Sequence, residues 1–179
     1  MQRNKVRDLT KVSMCVALCC VTSFIVFPLP FTPTMVTALT FSLSLTAYIL
    51  NPRQTFTVIL IYILLGAVGL PVFAGGQGLA RLLSPVGGFY FAWLIAYPLL
   101  SMAKGATPNI KRYILANILI AMPITYAGGL ASMILFMEIN LWQAFMMAVL
   151  PFIAGDLTKA GLAAVLGVKL QKVLEGRGL

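Results

Sequence analysis

The amino-acid sequence predicts an all-α membrane protein of six transmembrane helices, with both termini in the cytoplasm. An irregular glycine-rich loop between the third and fourth helices is expected to cap a pocket on the external side. Three observations carry this. Of 179 residues, 60% are hydrophobic and 9% charged, and the mean hydropathy is +0.97; such a composition excludes a solvated globular domain. The apolar residues fall in runs long enough to cross or nearly cross a bilayer, separated by proline, glycine and basic punctuation. The basic residues gather between alternate runs, as membrane topology requires.

The spans are read at 9–27, 35–50, 55–69, 87–102, 113–137 and 152–170, within one domain covering 1–179. The first follows a basic start, Arg3, Lys5 and Arg7, but its apolar run is long and lacks an Ala-x-Ala exit. It therefore reads as a retained span and not as a cleaved signal. Its three cysteines, Cys15, Cys19 and Cys20, read as small apolar packing residues, and no histidine is available to complete a metal site. "PLPFTP" ends the first span, "NPRQ" the second and "KGATPNIKR" the fourth. Pro98 and Pro123 are expected to kink the fourth and fifth. The stretch 141–151 is too short to cross and reads as an interfacial helix leading into the sixth.

Charge sets the orientation. Arg3, Lys5, Arg7, Lys11, Arg53, Lys104, Lys111, Arg112, Lys169, Lys172 and Arg177 all fall on one side, eleven of the thirteen basic residues. By the positive-inside rule that side is cytoplasmic. The net charge of +9 is spent on this topology and forms no stripe for nucleic acid. Small residues at four-residue spacing, Ser13/Ala17, Ala160/Ala164 and Ala163/Gly167, favour close helix packing within the bundle or against a partner.

Four charges remain on the external half: Arg81, Glu138, Asp156 and Lys159. Asp156 and Lys159 share one helix face just inside the sixth span. An ionised side chain there costs about 2.5–3.5 kcal/mol, so such groups face a cavity or a partner. The segment 69–93 is too rich in glycine for a helix and too apolar for a solvated loop. Irregular backbone at membrane depth must be protein-buried or line a cavity. This places Ala74, Gly75, Gly76, Gln77 and Arg81 at the mouth of the bundle beside Asp156 and Lys159. Tyr90 and Trp93 either give flat apolar contact there or belong to an interfacial belt. Lys159, with Arg81, offers donors to a carboxylate, and Asp156 offers acceptors to N–H groups. Gln77 and backbone amides suit a carbonyl or amide. Together they call for a small organic acid with an amide-like or ureido-like head.

Other classes fit less well. No phosphate-binding loop and no histidine are present, so neither nucleotide hydrolysis by that route nor an enzyme's general base is expected. No cofactor or metal is called for. An ion channel or exchanger built on the pair would want charges along several spans, and spans two to five carry none inside. Uphill transport would draw on an ion gradient or another subunit.

"GLPVFAGGQG" and "SPVGGFYFAW", followed by "PFIAGDLTKAGLAAVLG", resemble the BioY family across the whole chain. These are the biotin-specific substrate-binding S-components of energy-coupling-factor ABC transporters. Ser84-Pro85-Val86-Gly87-Gly88-Phe89 stands where the family usually has GPTGGY, and Ala154-Gly155-Asp156 where it has PGD; the Gly-Asp-x-x-Lys core is intact. The resemblance implies biotin capture in a prokaryotic plasma membrane, with Asp156 taking ureido N–H groups or holding Lys159, and Lys159 and Arg81 taking the carboxylate. Another small acidic vitamin is the alternative ligand. It also implies a transmembrane coupling protein and two ABC ATPase subunits as partners. The first-helix docking motif, Ala-x-x-x-Ala in the class, corresponds here to Ser13 and Ala17.

Overall fold

The computed structural model describes residues 2–176. Arg177 and the side chain of Arg3, both used in the topology count, lie outside what is described. The fold is mostly helical. Its elements are α1 (Gln2–Thr22), β1 (Val26–Pro28), β2 (Met35–Thr37), α2 (Leu39–Ile49), α3 (Pro52–Ala67), α4 (Gly78–Leu82), α5 (Gly87–Ala103) and α6 (Ile110–Ala116). A π-helical turn (Asn117–Ala121) joins α6 to α7 (Met122–Met137), and α8 (Leu141–Ala148) and α9 (Leu150–Gly176) follow.

Local chemistry sets the element ends. Asn51 caps α3 through a capping box: its side chain accepts from the Gln54 amide at 2.9 Å, and Gln54 accepts from the Asn51 amide at 3.3 Å. Pro52 occupies the first helical position, where a missing N–H costs nothing. Asn140 and Gln143 repeat the device at α8. The α2 C-terminus is closed from outside. Lys104 Nζ donates to the carbonyls of Ala47 at 3.1 Å and Tyr48 at 2.9 Å and also to Leu50, while Ser101 donates to Leu50 at 2.7 Å. A cation on those carbonyls also answers the negative end of the helix dipole.

Two expectations change. The first predicted span ends early, because α1 stops at Thr22 and residues 26–37 form an antiparallel hairpin, Val26 opposite Thr37 and Pro28 opposite Met35. Proline at residues 28, 30 and 33 denies helical hydrogen bonds there. α2 is accordingly only 11 residues, about 16 Å at 1.5 Å per residue. The fifth predicted span does run as one helix, 28 residues over Ile110–Met137. Pro123 sits at the start of α7, directly after the π turn. By length and composition two described helices can cross a bilayer, Ile110–Met137 and Leu150–Leu174.

α5 packs between α3 and α7, and α2 lies along α9. The α5–α7 contact is backbone on backbone: a Cβ on Gly88 would stand 2.0 Å from the Gly128 carbonyl oxygen, and one on Gly128 2.6 Å from the Gly88 carbonyl oxygen. Against α9, the Tyr48 ring fills the space beside Gly167, with Ala163 and Ala164 fully buried. The small-residue spacing of the sixth span therefore serves internal packing. Ser13 and Ala17 instead lie on an exposed face of α1.

The Gly128→Val variant should push α5 and α7 apart and destabilise the bundle by about 1–3 kcal/mol or more. Thermal unfolding in detergent should show a clearly lowered midpoint. Lys104→Met, which leaves the α2 carbonyls without their cation, should cost about 1–3 kcal/mol in the same assay.

Candidate ligand-binding site

The α9 start places Asp156 and Lys159 on one face, and their ion pair closes at 2.9 Å. Side-chain exposure is 12% for Asp156 and 18% for Lys159, so the pair is neither in bulk solvent nor sealed. Two further side chains solvate it. Thr40 of α2 donates to Asp156 Oδ1 at 3.2 Å and accepts from Lys159 Nζ at 3.3 Å. Tyr126 of α7 donates to Asp156 Oδ2 at 2.8 Å. Burying an ion pair loses hydration that Coulomb attraction only partly repays, so these extra hydrogen bonds are what make it tenable.

Above the pair lies a cavity of about 80 Å³. Asp156, Lys159, Arg81, Tyr90, Trp93 and Ala74 all line it, so the structure brings together most of the residues singled out from the sequence. Trp93, only 6% exposed, is buried in the bundle and is no interfacial belt residue. Gln77, Gly75 and Gly76 do not line this cavity. They edge a separate hollow with Ser23, Phe24 and Pro71, and Gln77 is exposed. Positive φ at Gly75 (73°) and Gly78 (72°) turns this stretch outward. The two glycines serve another end. A Cβ on Gly76 would meet Arg81 Cδ at 3.2 Å, and one on Gly75 would meet Met35 Cε at 2.6 Å. Bare backbone lets the chain lie on Arg81 and Met35, both of which line the cavity.

The loop is pinned by aromatic packing. Phe73 stacks at an angle between Tyr62 and Tyr90, at centroid distances of 5.6 and 4.6 Å, and Tyr90 meets Trp93 at 4.8 Å. Gly66 leaves room for the Phe73 ring, which would stand 2.1 Å from a Cβ there. Tyr62 adds a hydrogen bond to the Val72 carbonyl at 2.8 Å. Each edge-to-face pair contributes about 0.5–1.5 kcal/mol beyond area burial. Of the remaining external charge, Glu138 is an exposed left-handed residue capping α7, away from the site.

Three buried polar atoms at the cavity lack a protein partner: Arg81 Nε, Trp93 Nε1 and Thr125 Oγ1. A buried donor without an acceptor costs about 1–3 kcal/mol. Arg81 has no ion-pair partner among the described residues and faces the cavity as a charged group. Sequence reasoning missed Thr40, Thr125 and Tyr126. Thr40 had a signal available, since Thr40, Ser44 and Tyr48 repeat a hydroxyl every fourth residue along one face of an otherwise apolar helix.

The BioY family profile matches residues 1–176. The chain is 36% identical to the "Probable biotin transporter BioY" of Pyrococcus horikoshii, over 78% of this chain and 82% of that protein. It is 31% identical to the "Biotin transporter BioY2" of Lactococcus lactis, over 97% and 95% respectively. Identity to the "Biotin transporter BioY" of Thermotoga maritima is 30%, over 93% and 97%. In fold it is similar to a crystal structure of the S-component for biotin from an ECF-type ABC transporter, at a TM-score of 0.88 and 24% identity, covering 96% of this chain and 94% of that one. The chain belongs to the BioY family.

Proposed function

We propose that this chain is a biotin-capturing S-component: a membrane protein, not an enzyme, that binds the vitamin for uptake by an energy-coupling-factor transporter. The observation that carries the reading is the cavity itself. A neutralised Asp–Lys pair lies on one side of it, and a cation without an ion pair, Arg81, on another. Biotin has matching ends. Its ureido head is neutral and sets a carbonyl acceptor beside two N–H donors, which suits Lys159 and Asp156 side by side. Its carboxylate suits Arg81. The carboxylate role expected of Lys159 from the sequence thus passes to Arg81, because Lys159 is already neutralised at 2.9 Å. Tyr90, Trp93 and Phe89 supply apolar walls for the ring and chain. Small-molecule sites run to about 300 Å³ or more, so the cavity enlarges on binding, with the Met35 side chain and α4, the short helix that carries Arg81, giving way.

In this reading the chain spans a prokaryotic plasma membrane six times, with both termini cytoplasmic and the cavity opening outward. α2 contributes a short span that the preceding hairpin completes. The exposed Ser13–Ala17 face of α1 meets a transmembrane coupling protein, which two ATPase subunits drive. Family membership and the basic residues clustered at one end support this arrangement.

Thermal-shift titration of detergent-purified protein should show stabilisation by biotin, and less by desthiobiotin. Stabilisation by riboflavin alone would overturn the reading. Arg81→Gln should weaken biotin about 10- to 150-fold, the worth of one charge-assisted hydrogen bond, and leave biotin amide nearly unaffected. Lys159→Ala should weaken both ligands alike. Equal losses for both ligands at Arg81, measured calorimetrically, would return the carboxylate to Lys159.

A further inference from the structure

Adjoining the main cavity at the Asp156–Lys159 pair, with which it shares Thr40, Thr125 and Tyr126, lies a second chamber of about 10 Å³. Ser44, Tyr97, Asn117 and Thr125 line it together with the pair. It is too small for any organic ligand and is the size of one water molecule, which needs about 10–15 Å³ and two to four polar partners.

Its walls supply those partners. Thr125 is 6% exposed and its Oγ1 bonds to no protein group. Asn117 is 3% exposed and commits both amide hydrogens, to Ser44 Oγ at 2.8 Å and Tyr48 Oη at 3.2 Å. Its carbonyl oxygen is left to accept. Lys159 carries three hydrogens and commits two, to Asp156 and Thr40. Acceptor, donor and hydroxyl thus surround one water-sized space from α9, α7 and the π turn.

The geometry points to a structural water in this chamber. The water completes the solvation of the ion pair from the interior side, whether or not a ligand completes it from the other. It also sits at the head of a hydrogen-bonded seam. Below it Asn117 joins Ser44 and Tyr48, Tyr48 donates to the Tyr113 carbonyl at 2.9 Å, and Tyr113 donates to Gln171 near the far end of α9. An apolar filling would leave Thr125 and the third Lys159 hydrogen desolvated without a partner, so water is the occupant the chemistry selects.

A crystal structure of the ligand-free protein, at a resolution that orders internal water, tests this. One water is expected within about 2.7–3.2 Å of Thr125 Oγ1 and of at least two among Asn117 Oδ1, Tyr97 Oη and Lys159 Nζ. The Thr125→Val variant, which keeps the side-chain shape, should lose it. A dry chamber in the unaltered protein, or one filled by a side chain, would overturn the assignment. So would a water that persists unchanged in Thr125→Val. No vitamin is added, so failure of the biotin titration leaves this result unaffected, and the two can fail separately.

Discussion

One ion pair constrains the rest of this molecule. Asp156 and Lys159 sit within an apolar helix of a membrane protein, and their mutual attraction does not repay the hydration they have lost. They persist because α2 brings Thr40 and α7 brings Tyr126 into hydrogen-bonding reach. Three helices must therefore meet at one point, and the close packing elsewhere keeps them there. Tyr48 against Gly167 holds α2 along α9, and Gly88 against Gly128 holds α7 along α5.

The same constraint explains the distribution of buried polar groups. α2 has only 11 residues; beside the buried Leu39, Leu43 and Ala47, it contributes Thr40, Ser44 and Tyr48 along a single face. Each finds a partner on another element: the ion pair, Asn117 and the Tyr113 backbone in turn. At its far end Lys104 and Ser101 close the helix from α5. α2 is thereby tied at the site and at its opposite terminus, which suits a helix too short to rely on packing alone.

Much of this was legible in the residues. Charged groups in an apolar run are so costly that Asp156 and Lys159 announce a cavity or partner before any coordinates are seen. Proline and glycine likewise mark where helices cannot continue, and "NPRQ" does separate α2 from α3. What stayed hidden depended on three-dimensional neighbours. Nothing in "GGQ" says that Gln77 turns outward, because the turn follows from positive φ at the flanking glycines and from Arg81 and Met35 pressing on the bare backbone. The hairpin strands take residues 26–27 and 35–37 from the ends of the first two expected spans, since their apolar content is no different from a helix's. Tyr126 and Thr125 passed for ordinary members of the fifth span because nothing in the sequence places them opposite Asp156.

The π turn at Asn117–Ala121 decides which way the second half of this helix faces. A π turn accommodates one surplus residue without breaking the helix. Each residue advances an α-helix by about 100°, so the same residues wound as a regular α-helix would leave this stretch rotated by about that much. Tyr126 and Thr125 would then turn away from the Asp156–Lys159 pair while Asn117 and Tyr113 kept their places. One wide turn midway along a helix is enough to let its two halves serve different neighbours.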